Sequence, residues 1–315
     1  TTQFGWSVAG GGDVNGDGVA DVIVGETLDS PNQGLAVFSG VGGALLYETA
    51  DGTGWGVQHL GDVDGDGFGD FLGATAGYYS TQLYTACNSI MVSPTSGILS
   101  CGMARVFSGF DGSVIYTLKR FGSGLFGDTT AAAGDLDGDD IPDVLVGDPG
   151  YAPVYPLSPP YSSSGRVTAF SLSPIGVTTY GSACPAGPSG TPRIGVRGEA
   201  KVGETISVNL SKAPAGSRAL LVLGLSDTAW GPIPLPLGLG PVGMPGCSLL
   251  ASLDFTFPVD TEPTPPAPGR ASVPFSIPAQ PALAGATFFV QWIVGASPGT
   301  LIPGGTTRAL RIQIS

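Results

Sequence analysis

The amino-acid sequence predicts an all-β chain, and three observations predict it. Glycine (52) and proline (28) make up about a quarter of the 315 residues, a density that interrupts helices. Hydrophobic residues are 42% of the chain against 12% charged, the reverse of a disordered composition, so sizeable cores are buried. The apolar runs are short and separated by Gly-rich turns, the pattern of strands rather than helices. Two domains are expected: residues 1–179, holding three four-stranded units, and residues 180–315, a second β-domain.

The first domain is read from internal repeats. Residues 12–25 (GDVNGDGVADVIVG), 61–73 (GDVDGDGFGDFLG) and 134–147 (GDLDGDDIPDVLVG) align. An aromatic-glycine pair precedes each: Phe4-Gly5, Trp55-Gly56 and Phe126-Gly127. A strand-like stretch follows each, at residues 36–40 (AVFSG), 105–109 (RVFSG) and 166–170 (RVTAF). Units of roughly fifty residues made of short strands and Gly-rich turns are the signature of propeller blades. The second unit is longer by a stretch at residues 78–103 that contains Cys87 and Cys101. It reads as an ordered surface loop closed by its own disulfide. The Pro/Tyr/Ser tract at 149–165 reads as a further exposed loop.

Within each repeat, oxygen side chains recur at alternate positions 1, 3, 5 and 9. They are Asp13, Asn15, Asp17 and Asp21; then Asp62, Asp64, Asp66 and Asp70; then Asp135, Asp137, Asp139 and Asp143. With backbone carbonyls at position 7 (Val19, Phe68, Ile141), each loop can wrap a hard cation that needs six to eight oxygens, and calcium fits best. Three sites are expected. Glycine at position 6 (Gly18, Gly67) permits the left-handed turn of the wrap, and Asp140 stands there in the third loop. An EF-hand is excluded: position 12 is Val24, Gly73 and Val146 instead of Glu, inside β-branched runs. Asp at position 9 is expected to supply the bidentate group. Eleven of the 25 acidic residues stand at these positions, so much of the net charge of −13 is read as metal-site chemistry.

The aromatic-glycine pair, the acidic loop and the apolar strand after it resemble FG-GAP repeats, the blades of integrin alpha-subunit propellers. The resemblance covers about residues 1–178, and Gly147-Asp148-Pro149 stands where GAP is expected. It implies calcium-stabilised blades, usually seven, in extracellular adhesion or recognition proteins. Three repeats fall short of the four to eight blades that close a propeller. Three alone would leave an open wedge with exposed apolar faces and strand edges, which either the C-terminal half covers or other subunits complete, in a closed oligomer or a filament.

The second domain is expected to hold seven strands, at 193–198, 204–210, 218–225, 247–257, 270–277, 286–294 and 308–314, in a β-sandwich. Residues 180–187 (YGSACPAG), 220–226 (LLVLGLS) and 288–292 (FFVQW) resemble a C-terminal β-domain of secreted planctomycete-like bacterial proteins. The uncharged stretch 231–246 is read as a contact surface or a core-covering loop, with the first favoured, and 262–269 as extended polyproline. Four cysteines allow three pairings, and the simplest joins Cys87 to Cys101 and Cys184 to Cys247. Two disulfides, with a chain that begins at Thr1 without methionine, point to a secreted or cell-surface protein.

Function classes narrow accordingly. Lys and Arg total 12, without a basic cluster, which argues against nucleic acid. No apolar run is long enough for a spanning helix. His59 is the only histidine, and the obvious carboxylates are assigned to calcium, so no catalytic set stands out, Glu199 and Asp254 being isolated carboxylates. The chain is therefore read as non-enzymatic, a structural subunit of an extracellular assembly or filament that self-associates. The alternative is an adhesion module that binds a glycan or surface protein through the Tyr-rich loops at 78–84 and 151–161, since flat rings stack on sugars. The sequon at Asn209 lies inside an expected strand, where no glycan is expected.

Overall fold

The structure, a computed structural model, describes residues 3–27, 34–76, 92–93, 97–98, 102–120, 125–151, 164–187, 190–262, 269–300 and 304–315. It is all-β, with several antiparallel sheets. The chain folds into two compact units, Thr1–Val63 with Phe68–Leu172, and Asp64–Gly67 with Ser173–Ser315.

The first unit holds one sheet per repeat. β1 (Gln3–Gly12), β2 (Asp21–Thr27), β3 (Gly34–Phe38) and β4 (Leu45–Glu48) form a four-stranded sheet in chain order. In the second repeat, β5 (Gly56–Gly61) and β6 (Asp70–Thr75) are followed by the small hairpin of β7 (Val92–Ser93) and β8 (Gly97–Ile98). β9 (Gly102–Phe107) and β10 (Val114–Arg120) then complete a second sheet, in the order β10-β9-β6-β5. The third repeat gives β11 (Thr129–Gly134), β12 (Asp143–Asp148) and β13 (Arg166–Phe170), a sheet of three strands among the described residues where four were expected. The reason is a change of partner. The next strand, β14 (Val177–Tyr180), pairs with the last strand of the chain instead of with β13.

Alternation along the strands decides how these sheets stack. Val22, Phe71 and Val144 occupy the same register position of the three repeats, opposite Gly10, His59 and Ala132. The next residues, Ile23, Leu72 and Leu145, point to the opposite face, as successive strand residues must. Ile23 and Val37 bury with Val57, Phe71 and Phe107 of the second repeat. Leu72 and Val106 in turn bury with Val144 and Val146 of the third. Each interface thus joins the Ile23-type face of one repeat to the Val22-type face of the next. Tyr47 reinforces the first interface, stacking on Phe71 at 6.1 Å and donating its hydroxyl to the carbonyls of Gly109 (2.8 Å) and Phe110 (2.9 Å).

The second unit adds β15 (Arg193–Arg197), β16 (Thr205–Ala213), β17 (Ser217–Gly224), β18 (Ala229–Trp230), β19 (Ile233–Pro234), β20 (Leu237–Gly238), β21 (Ser248–Leu249), β22 (Phe255–Asp260), β23 (Gly269–Ser276), β24 (Thr287–Pro298) and β25 (Gly304–Gln313). A five-stranded sheet, β14-β25-β24-β17-β22, and a three-stranded sheet, β15-β16-β23, share one core containing Ile206, Leu210, Leu221, Trp292 and Ile312. Buried Trp292 donates its indole N–H to the carbonyl of Asn209 at 3.1 Å. The strand expected over 247–257 is broken. Ser252 Oγ and Asp254 Oδ2 accept the Leu225 N–H at 3.0 and 2.7 Å, fixing a turn between β21 and β22.

Cys184 and Cys247 form a disulfide. It sits in a smaller buried cluster with Met244 and Leu249, against which Leu235, Leu237 and Leu239 pack. The stretch 231–246 therefore covers a core with its half-buried leucines, while the residues between them, and Val242 at 51%, stay exposed. Asn209 is buried and its side-chain oxygen accepts Ser272 Oγ at 2.7 Å, which leaves no access for a glycan. Among the described residues no helix is long and apolar enough to cross a membrane. Cys87, Cys101, the 78–84 loop, most of the 151–161 loop and the 263–268 part of the polyproline stretch lie outside the described residues.

Candidate metal centre

Each acidic loop connects the first two strands of its repeat: β1 to β2, β5 to β6 and β11 to β12. The loops wind through left-handed positions, with φ of 85° at Gly18, 90° at Gly67 and 70° at Asp140. Asp140 adopts the conformation that glycine takes in the other two loops, which Asp tolerates better than most residues.

The position-1 side chain is the hub of the turn. In the first loop Asp13 Oδ1 accepts the Asp17 N–H (3.0 Å) and Oδ2 the Gly18 N–H (2.8 Å). Asp135 does the same in the third, accepting from Gly138 (2.7 Å), Asp139 (3.1 Å) and Asp140 (2.9 Å). The position-5 carboxylates hold the descending turn: Asp17 Oδ1 accepts the Val19 N–H and Asp139 Oδ1 the Ile141 N–H, both at 2.8 Å. Asn15 donates its amide to Asp17 Oδ2 at 2.9 Å and accepts the Asp17 N–H at 3.0 Å. Of the position-7 residues, Val19 is exposed, Phe68 lies 5.3 Å from the Phe110 ring, and Ile141 packs on the core between the second and third repeats.

Among the described residues, Asp62, Asp64 and Asp66 bring one carboxylate oxygen each within 4.8 Å of one another, and so do Asp135, Asp137 and Asp143. Three like charges so close repel unless a cation sits among them. The set in the second loop is the more enclosed: Asp64 is 1% exposed, whereas Asp135 and Asp137 are exposed. Inside the second unit, Arg197 Nε lies 3.8 Å from Asp64 Oδ2 and already offsets part of this charge. The first loop, with Asn15 in place of a third clustered acid, carries less negative charge.

The position-9 carboxylates have a task that their spacing did not signal. Asp21 Oδ2 accepts the Val14 (2.7 Å) and Asn15 (3.2 Å) N–H groups, and its Oδ1 accepts the Gly40 N–H at 2.9 Å. Asp70 repeats this with Val63 (2.7 Å) and Gly109 (2.9 Å). Both oxygens of these two residues accept backbone N–H groups, a staple that ties the loop to the turns after β3 and β9 at the position expected from the sequence to supply the bidentate ligand. Asp143 keeps the first bond, from Leu136 at 2.6 Å, but its buried Oδ1 has no hydrogen-bond partner. The signal was present in the sequence: Phe38-Ser39-Gly40 and Phe107-Ser108-Gly109 become Phe170-Ser171-Leu172 in the third repeat. An orphaned buried carboxylate oxygen, converging with Asp135 and Asp137, fits a bound cation.

His59 lies between the first and second loops. A Cβ at Gly12 or Gly69 would fall 1.6 or 2.4 Å from His59 Nε2, so both glycines are required to admit the ring. Burial depresses its pKa, against the opposing charges of Asp21 and Asp13. Asp254 is held below the usual carboxylate range by the Ser252 hydroxyl and the Leu225 N–H, a turn-forming role.

Residues 4–39, which contain the first loop, match the FG-GAP repeat. FG-GAP repeats are non-catalytic modules, typical of extracellular proteins, that often bind calcium. No curated protein matches the chain.

Proposed function

We propose that this protein is a secreted, calcium-stabilised structural subunit of an extracellular assembly. Its three repeats are propeller-type blades, each holding one calcium ion, and its C-terminal domain is a β-sandwich without catalytic function. Asp13, Asn15 and Asp17, Asp62, Asp64 and Asp66, and Asp135, Asp137 and Asp143 would supply the side-chain oxygens. Bound calcium would neutralise them and so stabilise the turns that carry each β-hairpin.

The observation that supports assembly is the exposure of one register position. Val22 is 40% exposed on the first repeat, while the equivalent Phe71 and Val144 are fully buried. Phe4 (58%), Val8 (63%) and Leu45 (53%) share that exposed side. Glu26 and Glu48 lie on the same side, and a largely apolar sheet face in water is a partner-binding surface or an aggregation hazard. Sedimentation and negative-stain microscopy of the purified chain, in calcium and in chelator, test the reading. Defined oligomers or polymers in calcium that dissociate on chelation are expected; a monomer indifferent to calcium overturns it.

A further inference from the structure

We propose that the partner of the exposed first-repeat face is the exposed third-repeat face of a second copy, and that two copies close head to tail into a ring of six repeat sheets. This rests on the self-association proposed above and adds its polarity, its contact faces and its copy number.

The two internal interfaces define the rule. Each pairs an Ile23-type face with a Val22-type face, and each leaves its partners buried: Ile23 and Val37 at 1% and 0%, Leu72 and Val106 at 0%. Applied to the whole array, the rule leaves one face of each kind without a partner repeat among the described residues. At the start it is the Val22-type face of β1 to β4. At the end it is the Ile23-type face of the third sheet.

Exposure follows the rule at that far end. Val167 occupies the position of Leu35 and Ala104, opposite Gly147, Gly25 and Ala74 respectively. Leu35 is 2% and Ala104 0% exposed, whereas Val167 is 66% exposed. Ala169, at the position of the buried Val37 and Val106, is exposed too. The residues remain apolar at positions where an array adapted to end in water would carry charge. Within the chain, Leu35 sits over Gly73, a contact so close that a Cβ there would fall 2.5 Å from Leu35 Cδ2. Val167 of one copy and Val24 of the next, itself 9% exposed, hold the corresponding positions, a smaller side chain than Leu35 meeting a larger residue than Gly73.

Closure at two copies follows from the sheet count. Such arrays close with about four to eight sheets, and two copies supply six. A heterologous contact whose rotation closes gives a ring instead of a filament.

The test uses full-length Val8→Asp and Val167→Asp in calcium, measured by sedimentation velocity. Both side chains are mostly exposed, and melting curves that match the parent show that each variant is folded. The parent should sediment as a dimer and each variant alone as a monomer. Their equimolar mixture should return to a dimer, because Val167→Asp keeps the intact first-repeat face and Val8→Asp the intact third-repeat face. A variant that dimerises alone, or a mixture of folded variants that stays monomeric, overturns the pairing. A parent that polymerises without limit overturns the two-copy ring and leaves the self-association reading standing. A parent that stays monomeric in calcium overturns both.

Discussion

Val63 donates its backbone N–H to Asp70 Oδ2 at 2.7 Å, closing the acidic loop of the second repeat across seven residues. The same bond joins Val14 to Asp21 at 2.7 Å and Leu136 to Asp143 at 2.6 Å. It is charge-assisted, buried in the first two repeats and part-buried in the third. Asp21 and Asp70 therefore belong to the fold, whereas the proposed ion falls to the earlier acids of each loop and to Asp143.

That division predicts a split between two alanine variants. Asp70→Ala removes the partners of the Val63 and Gly109 N–H groups, each bond worth about 1.5–3 kcal/mol when one partner is charged. Its melting temperature should fall by a similar amount in calcium and in chelator. Asp66→Ala should lose stability in calcium alone, by roughly 1.4 kcal/mol for each tenfold excess of calcium over its Kd. Thermal melts of both variants in both buffers check this. Equal losses in chelator would show that no such division exists.

A second contrast lies between Asp70 and Asp143. Asp70 Oδ1 has the Gly109 N–H at 2.9 Å, whereas the buried Asp143 Oδ1 has no hydrogen-bond partner. In chelator, Asp143→Asn should cost less than Asp70→Asn, because it removes the charge from a crowded acidic site and sacrifices one backbone bond fewer. In calcium the order should narrow or reverse, as Asp143→Asn weakens the ion's ligand set. Calcium titration followed by calorimetry should show fewer or weaker sites for Asp143→Asn than for the parent.

The repeats were legible because their information is local. Asp at alternate positions, glycine at φ-positive turns and β-branched residues after them encode a hairpin within fourteen residues of sequence. What was not legible depends on distant partners. β14 carries the composition of a return strand, but its hydrogen bonds go to β25, more than a hundred residues away. The leucines of 231–246 read as a surface until the Cys184–Cys247 disulfide and Met244 give them a core. The staple at position 9 sat between these cases: its donor, the glycine of Phe-Ser-Gly, was visible, but only the sheet register brings Gly40 to Asp21.

The Cys184–Cys247 disulfide should carry much of the stability of the second unit. The two residues are 63 apart in sequence, and a cross-link closing a loop of that size restricts the unfolded chain by about 4 kcal/mol in the chain-entropy model. Cys184→Ser with Cys247→Ser should lower the melting transition of this unit, and reductant should do the same to the parent. Reductant should leave the melting of the double variant's second unit unchanged. Differential scanning calorimetry with and without reductant checks this.

Tyr180 gives the second unit an alkaline limit. Its hydroxyl donates to the Leu250 carbonyl at 3.0 Å, and burial, aided by Asp227 and opposed by Arg311, raises its pKa well above the usual value of 10. The unfolded chain therefore ionises this tyrosine first. Its contribution to stability is complete below about pH 10 and declines as pH rises above it, because proton release there favours the unfolded state. Tyr180→Phe should cost about 1 kcal/mol at neutral pH through the lost hydrogen bond. Above pH 10 the gap between parent and variant should narrow, since phenylalanine has no proton to lose. Urea unfolding of both proteins from neutral pH to pH 11 measures that gap; a constant difference across the range would show that Tyr180 ionises equally in the folded and unfolded states.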